Sequence, residues 1–246
     1  MPNHQFAFRK GLGTELQLVR VVEGINQGFL KKDVIGTILL DVEKVSDRVW
    51  RKGLVYKMIG MGIPNHITRL TLSFLQDLTF QIKLEGSRST TRTSTAGVPQ
   101  GAVLSATLFN IYIADYPSHP DVEIVQFADD TLIIARRKSV KLIDHKLQSY
   151  MDKLEDWMDK WKTKINAENS KAVMFTKRHV QPERPINYKG TDIPWVKEKK
   201  YLGVVRNRKI TWRAQADHTA NKGRAISQKL RPLLTIAAEE EQPRLA

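Results

Sequence analysis

The amino-acid sequence predicts an α+β fold. Helical and strand patterns alternate along the 246 residues, two segments have the pattern of a β-hairpin, and there is no regular βαβ repeat. These features favour helices with antiparallel strands over a doubly wound parallel sheet. The length allows one well-buried core with a small appendage, and 41% hydrophobic with 27% charged residues is typical of a folded globular protein.

The first half of the chain is predicted to contain three helices, a strand and a hairpin. Residues 14–30 form an amphipathic helix, because apolar side chains recur at spacings of three and four: Leu16, Val19, Val22, Ile25 and Phe29. Residues 34–40 form a buried strand, and helices follow over residues 49–60 and from Pro64 onward. Alternating apolar and polar residues predict a hairpin with one polar arm over residues 79–95.

The second half is predicted to contain an apolar helix over residues 102–115, a hairpin over 122–135 and a long amphipathic helix over 139–164. Strands follow near 172–176 and 201–205, a final helix lies near 213–234, and the last ten residues are expected to fray. The aromatic stripe of the long helix is interpreted as core rather than as a stacking platform for bases. Its predicted inner face carries Leu142, Leu147, Tyr150, Leu154, Trp157 and Trp161.

The charge distribution suggests a polyanionic partner. The net charge is +14, and residues 131–210 alone hold 20 Lys/Arg against 9 Asp/Glu, a net +11. Nucleic acid is the natural partner for such a field. The chain has no cysteine, and we find neither an apolar run of membrane-spanning length nor a signal peptide. We therefore expect an intracellular protein of the nucleus or cytoplasm that is neither secreted nor bound to a membrane.

Three aspartates follow apolar runs. Asp129 and Asp130 lie between two strand-like segments, and Asp41 comes directly after the apolar run 34–40. Adjacent carboxylates repel each other and need a cation or hydrogen-bond donors when they are partly buried. A solvated turn is the simpler interpretation of an Asp-Asp pair, but a third acid in the same context favours a divalent metal site.

A Gly/Pro-rich loop lies between the aspartates. Residues 96–105 contain Gln100 and Gly101 and lead into an apolar helix. A loop of this composition lets the backbone approach a ligand closely.

These segments, in this order, resemble the palm of a reverse transcriptase, in particular that of non-LTR retrotransposons of the insect, jockey-like type. The resemblance covers nearly the whole chain and lies in residues 4–11, 41–50, 97–112, 127–130, 164–176, 201–204 and 211–212. It implies a palm over residues 33–178, with finger helices inserted at about 49–95, and partial fingers over residues 1–32. It also implies a primer-grip-like hairpin over 179–212 and a truncated thumb with a frayed tail over 213–246.

The resemblance implies template-directed nucleotidyl transfer from deoxynucleoside triphosphates with two Mg²⁺ ions, or Mn²⁺ in their place. Asp41, Asp129 and Asp130 would be the catalytic and metal-binding acids, and the backbone carbonyl of Val42 would complete one metal site. The implied partners are an RNA template, a DNA primer and the remainder of a longer polyprotein. The implied substrate-binding residues are Ser46, Gln100, Gly101 and Lys171, and the implied nucleic-acid contacts are Arg9, Tyr201, Leu202 and Gly203.

The sequence departs from the family pattern at two site positions. Ser46 stands where an aromatic residue normally excludes the ribose 2′-hydroxyl, which predicts weak discrimination against ribonucleotides. Asn169 stands where a lysine is thought to protonate the leaving pyrophosphate, and Lys171 would be the replacement, on the same face if the segment is a regular strand. These departures favour the first of two further hypotheses, and the resemblance after residue 201 disfavours the second. One is an inactive, truncated retrotransposon relic that only binds nucleic acid and metal, and the other is a palm domain with another phosphoryl-transfer role.

Overall fold

The computed structural model describes residues 4–43, 45–207, 216 and 219–228. The helices are α1 (Thr14–Leu30), α2 (Val45–Arg48), α3 (Arg51–Gly60), α4 (Asn65–Leu75), α5 (Val103–Tyr112) and α6 (Val140–Lys160), and residues 219–228 are also helical. The strands are β1 (Val34–Val42), β2 (Thr79–Phe80), β3 (Lys83–Leu84), β4 (Ser87–Arg88), β5 (Arg92–Thr93), β6 (Val122–Phe127), β7 (Asp130–Arg137), β8 (Ile165–Phe175), β9 (Ile186–Tyr188), β10 (Thr191–Ile193), β11 (Trp195–Val196), β12 (Glu198–Tyr201) and β13 (Val204–Asn207).

A five-stranded sheet forms the centre of the fold. Its strand order is β11-β8-β1-β7-β6, and every pairing is antiparallel except that of β11 with β8. Strand β1 is the central strand, which explains why its first five residues are all buried. The predicted α+β class is therefore confirmed, and residues from three distant parts of the sequence meet on adjacent strands.

One face of the sheet packs against α3, α5 and α6. The buried cluster on this face joins β-strand residues such as Ile38 and Ile133 to Leu54, Leu108 and Leu147 of the helices. Helix α6 crosses β1 at Gly36, where an added Cβ would lie 2.2 Å from a carbon of Ile143. The close approach of helix and sheet thus depends on the missing side chain.

The opposite face packs against α1 and against Tyr201 at the end of β12. Val21 and Ile25 of α1 join Ile35, Leu132 and Tyr201 in a second buried cluster. Successive side chains of a strand point to opposite faces of the sheet. Leu40 belongs to the cluster on the first face, so the neighbouring Asp41 points to the face covered by α1, and Asp130 on the adjacent strand does the same.

The bounds of the first helix are confirmed, and its predicted apolar face is only partly right, because Ile25 is buried whereas other members of that face are exposed. Leu16 and Val19 are 50% and 63% exposed. The residues that face the sheet are the predicted Ile25 together with Gln17, Val21 and Gly28. Gln17 and Gly28 face the sheet although neither has an apolar side chain. The Gln17 amide donates a hydrogen bond to the Gln126 carbonyl (2.9 Å), and the missing side chain of Gly28 makes room for Ile35. A pattern built on apolar residues alone therefore misplaces the face.

The long helix is confirmed, and so is the core interpretation of its aromatic stripe, since Trp157 and Trp161 are buried. Leu142 is an error in the predicted face: it is 48% exposed, and Ile143 is buried in its place. The spacing explains this result, because Ile143 and Leu147 lie four residues apart on one face, whereas Leu142 is out of phase with them.

The remaining boundaries differ modestly from the predictions. The apolar helix is shorter than predicted, at Val103–Tyr112, and the strand expected near 172–176 begins earlier, at Ile165. The segment 79–95 contains four two-residue strands, all exposed. Much of the predicted final helix, and the whole tail, lie outside the described residues. Within the part of the chain that is described, none of the helices combines the length and apolar composition needed to cross a membrane.

Candidate active site

Asp41 lies near the end of β1, where a β-bulge interrupts the ladder. The pairing with β8 runs from Leu39 opposite Lys171 to Asp41 opposite Asn166, so β8 contains extra residues at this point. Ser170, which is fully buried, fills the gap: its hydroxyl accepts a hydrogen bond from the Asp41 N–H (3.0 Å) and donates one to the Asn166 carbonyl (2.7 Å). The bulge therefore holds the backbone of Asp41 while its carboxylate stays exposed.

Asp129 and Asp130 come from the β6–β7 hairpin. Phe127 pairs with Asp130, so Ala128 and Asp129 form the two-residue turn. The predicted hairpin is thus confirmed, with Asp129 in the turn and Asp130 as the first residue of β7. Ala128 has a φ of +56°, a left-handed conformation that residues with a side chain rarely adopt.

The sheet register brings the three acids to one edge. Leu40 is the last β1 residue paired with β7, and its partner is Thr131. One step further along the same register, Asp41 lies opposite Asp130, at a separation typical of cross-strand neighbours. Asp129 is adjacent to this pair in the turn. Asp41 and Asp130, which are 89 positions apart in the sequence (130 − 41), therefore lie side by side.

The carboxylates influence one another electrostatically. Partial removal of water raises the pKa of Asp130 above its usual range, and the negative charges of Asp129 and Asp41 raise it further. Each of these effects disfavours the ionised form, so a cation that neutralises the edge would be favoured there. Within the described ranges, no three His, Cys, Asp or Glu side chains converge closely enough to enclose a metal ion. The donors suit a hard divalent cation that takes few protein ligands and completes its shell with water or phosphate oxygens.

A cavity of about 340 Å³ adjoins Asp129. Its walls include Phe8, Ser46, Gln100, Gly101, Phe109 and Asp129. The predicted nucleotide loop and one predicted catalytic acid therefore share a single cavity. Phe8 was not predicted as a site residue, yet its ring is 61% exposed and its φ is +59°. Strained residues with exposed aromatic rings are common at binding sites.

The Gly/Pro-rich loop over residues 96–105 is held by contacts that the sequence did not reveal. Gly97 has a φ of +83°, and a Cβ there would lie 2.7 Å from the Asp47 carbonyl oxygen, so only glycine fits. The guanidinium of Arg51 donates to the backbone carbonyls of Ser94 (2.7 Å), Ala96 (3.0 Å) and Gly97 (3.0 Å). The Gln100 amide donates to the Asp47 carboxylate (2.8 Å). Asp47, which the sequence analysis did not include among the site residues, thus orients Gln100.

Asn169, rather than Lys171, approaches Asp41. The Asn169 amide donates a hydrogen bond to the Asp41 carboxylate (2.9 Å), whereas the Lys171 ammonium is bonded to the carbonyl of Glu168. A regular strand would place the side chains of residues 169 and 171 on the same face. This expectation fails because the bulge in β8 lies between Asn166 and Lys171. The neutral amide is a donor to the catalytic edge but carries no acidic proton that could be transferred at neutral pH.

The predicted nucleic-acid residues lie in two places. Leu202 and Gly203, at φ of +45° and +84°, form the turn of the β12–β13 hairpin. Tyr201 precedes them and is only 6% exposed. Burial raises the pKa of the Tyr201 phenol, and the charge of Asp130 raises it further, so this hairpin lies beside the acidic edge. Arg9 lies near the start of the chain, where its guanidinium donates to the carbonyl of Gln5 (3.1 Å), the residue whose side chain contacts Ala128.

Comparisons with known proteins agree with this architecture. Residues 1–205 match the family model described as "Reverse transcriptase (RNA-dependent DNA polymerase)". The chain is 34% identical over 239 residues to the RNA-directed DNA polymerase from mobile element jockey of Drosophila melanogaster, covering 94% of this chain and 25% of the relative. A relative of the same description from Drosophila funebris is 34% identical over 221 residues, covering 87% of this chain and 24% of the relative. The chain therefore spans about a quarter of the length of these relatives.

Among solved structures, apo telomerase from Candida tropicalis, truncated from its C-terminal domain, superposes with a TM-score of 0.57 at 16% identity. That match covers 83% of this chain and 39% of the telomerase chain. At this identity the likeness shows the fold alone, which is palm-like: a central antiparallel sheet backed by helices. Members of the family generally use divalent metal ions. The family model and the two Drosophila relatives together show that the chain belongs to the reverse transcriptase family, as a jockey-like member of the non-LTR type.

Proposed function

We propose that this chain is the catalytic core of an RNA-directed DNA polymerase, which transfers nucleotides from deoxynucleoside triphosphates to a DNA primer on an RNA template. One observation carries the proposal: Asp41, Asp129 and Asp130 meet at one sheet edge, directly beside the cavity that contains Gln100. Phosphoryl transfer is catalysed chiefly by positioning and by neutralisation of charge, and the acids at this edge would hold the cations that serve both purposes.

Asp41, Asp129 and Asp130 would hold the divalent cations, with the Val42 carbonyl as a further oxygen ligand. We propose Mg²⁺ as the ion and Mn²⁺ as its substitute, because all of these donors are hard oxygens. When bound, two such ions activate the primer hydroxyl and neutralise the leaving phosphate oxygens. The raised pKa of Asp130 supports this assignment, since a cation would stabilise its ionised form.

The cavity beside Asp129 would hold the incoming nucleotide. Gln100, oriented by its bond to Asp47, forms one wall, and Gly101 lets the chain pass without a side chain. Because the side chain of Ser46 is small, it leaves open the part of the cavity where the sugar of the nucleotide would lie. We therefore propose that the cavity accepts ribose more readily than a pocket closed by an aromatic ring would.

The template and primer would lie along the same side of the sheet. Leu202 and Gly203 at the turn of their hairpin are the proposed primer contacts, whereas the buried Tyr201 supports the hairpin from within. Arg9 is the proposed contact to template or triphosphate. The excess of 20 basic over 9 acidic residues in positions 131–210 would supply affinity that does not depend on sequence.

The division into fingers, palm, primer-grip hairpin and thumb, with the bounds given above, remains our proposal. The chain would act as part of a longer polyprotein. A location in the nucleus or cytoplasm is likewise proposed.

An inactive protein that retains nucleic-acid and metal binding is the second candidate function. The observation that favours it is the contact of Asn169 with Asp41, because an amide at this point cannot act as the general acid. Lys171 would rescue the first function only if its ammonium left the Glu168 carbonyl and turned toward the leaving group. The two functions therefore differ in one measurable property, which is turnover.

Primer extension on an RNA template with Mg²⁺ tests the proposal. The comparison uses Asp129→Asn, which removes one charge at the edge, and Asp156→Asn, which removes the same charge from an exposed position on α6 across the sheet. We expect extension by the wild type and by the Asp156 variant, and a loss of at least about a hundredfold in the Asp129 variant. Salt-sensitive binding of the primer-template without any extension would favour the inactive protein.

A further inference from the structure

A buried glutamine near the start of the described chain contacts Ala128, the turn residue that precedes Asp129. Gln5 is fully buried. Its side-chain oxygen accepts hydrogen bonds from the N–H groups of Ala7 (2.9 Å) and Ala128 (3.1 Å), and its side-chain nitrogen donates to the Ala128 carbonyl (3.2 Å). Both backbone polar groups of Ala128 are therefore bonded to one side chain from 123 residues away.

Ala128 needs such support because of its backbone conformation. Its φ of +56° lies in the left-handed region, which a residue with a Cβ adopts at a cost of about 1–3 kcal/mol. Glycine, asparagine or aspartate would normally occupy this position of a two-residue hairpin turn. The bonds to Gln5 offset the strain, because a buried backbone group left without a partner costs about as much as the strain itself.

Gln5 is itself fixed in position. The segment around it pairs with β6 through hydrogen bonds from the Phe6 N–H to the Gln126 carbonyl (3.1 Å) and from the Gln126 N–H to the His4 carbonyl (2.8 Å). On its other side, the Asn110 amide of α5 donates to the Ala7 carbonyl (3.0 Å). The segment thus bridges β6 and α5, and the Gln5 amide has little freedom to leave Ala128.

We propose that Gln5 is a positioning residue for the Ala128–Asp129 turn. It keeps Ala128 in the left-handed conformation and thereby sets where the Asp129 carboxylate stands at the edge of the cavity. Gln5 itself touches neither a nucleotide nor an ion. The inference rests on the proposed function of the two aspartates.

The chain contains a matched control for a purely structural role. Gln17 is also fully buried, and its amide donates to the Gln126 carbonyl (2.9 Å), two residues before Ala128 in the same hairpin. Replacing Gln17 by leucine removes a comparable buried hydrogen bond without touching the turn. A role confined to stability would make the Gln5 and Gln17 variants behave alike.

The experiment measures hydrogen exchange of the Ala128 amide in the full 246-residue chain, without metal or nucleic acid. In Gln5→Leu we expect this amide to exchange about tenfold faster than in the wild type, because its acceptor is gone. In Gln17→Leu we expect no change at Ala128. Gln5→Ala also removes the acceptor but leaves a smaller side chain, so faster exchange at Ala128 is expected there too, and this variant serves if Gln5→Leu does not fold.

Primer extension gives the second readout. We expect the Mg²⁺ concentration for half-maximal extension to rise about tenfold in Gln5→Leu and to stay unchanged in Gln17→Leu. Unchanged exchange at Ala128 in Gln5→Leu, or faster exchange with an unchanged Mg²⁺ requirement, would overturn the inference. If the wild type extends no primer, the proposed polymerase function fails, and the exchange comparison still decides whether Gln5 holds the turn.

Discussion

Replacing Lys57 by methionine tests how the fold accommodates a charge in its core. The Lys57 side chain is only 3% exposed and is bonded to the Tyr112 carbonyl and the Asp115 carboxylate. Its ammonium also lies 3.7 Å from the ring centre of Trp161 and 4.6 Å from that of Trp157. It therefore connects α3 to α5 and to the aromatic stripe of α6.

The expected effect depends on pH. Burial lowers the pKa of Lys57 from 10.5 to about 8, despite the hydrogen bond and the charge of Asp115, which act in the opposite direction. The difference corresponds to about 3 kcal/mol of unfolding free energy. Below pH 8 Lys57 is protonated in both the folded and the unfolded protein, so the buried charge destabilises the folded state by the full amount of about 3 kcal/mol. Between pH 8 and 10.5 the folded state releases its proton first, so the cost falls as pH rises.

We therefore expect the unfolding free energy of the wild type, measured relative to Lys57→Met, to increase by up to about 3 kcal/mol as pH rises from 7 to 10.5. Urea unfolding followed by tryptophan fluorescence at several pH values measures this difference. Lys52→Met is the control, because Lys52 is exposed on the same helix and its removal should leave the pH dependence unchanged. A difference between wild type and Lys57→Met that stays flat across this range would refute the reasoning. It would mean that the aromatic rings and Asp115 fully compensate the desolvation of the ammonium.

Three further predictions concern the candidate site. Ser170→Ala removes the hydroxyl that bridges the bulge at Asp41, so we expect about 1–3 kcal/mol lower stability and slower primer extension, measured by urea unfolding and by single-nucleotide incorporation. Asn169→Lys would restore a general acid, so we expect nucleotide incorporation to be at least about tenfold faster. A slower rate in Asn169→Lys would point to Lys171 as the acid instead. A loss of activity in Lys171→Ala would point to the same conclusion. Ser46→Phe should raise the preference for deoxynucleotides over ribonucleotides in competition assays, and an equally strong preference before and after the change would show that Ser46 does not leave the sugar side open.

The strands and their acidic ends could be predicted because the signals are local. An apolar run followed by aspartate marks the end of β1, and two apolar runs around Asp129 and Asp130 mark a hairpin. The antiparallel register then brings these ends together without further information from the sequence. The fold class followed from the same alternation of patterns.

The supports of the site could not be predicted, because they join residues that are distant in the sequence. The amide of Gln5 reaches across 123 residues to Ala128, and that of Asn169 across 128 residues to Asp41. A buried polar residue has no periodic signature, and its partner is known only once the chain is folded. The same cause explains the misplaced face of α1, where Gln17 faces the sheet in place of an apolar residue.

The contact between Asn169 and Asp41 changes the electrostatic demands of the site. A lysine at position 169 would neutralise part of the negative charge at the sheet edge, whereas an amide leaves the carboxylate charge in place. Apart from the hydrogen bond that the Asn169 amide donates to Asp41, the repulsion among the three carboxylates must then be relieved by bound cations. Activity of this chain should accordingly depend more steeply on divalent metal than that of Asn169→Lys. Metal titrations of the two proteins should give a higher half-maximal concentration for the lysine variant, because an ammonium beside Asp41 weakens the attraction of the sheet edge for cations. An equal or lower concentration for the lysine variant would contradict this reasoning.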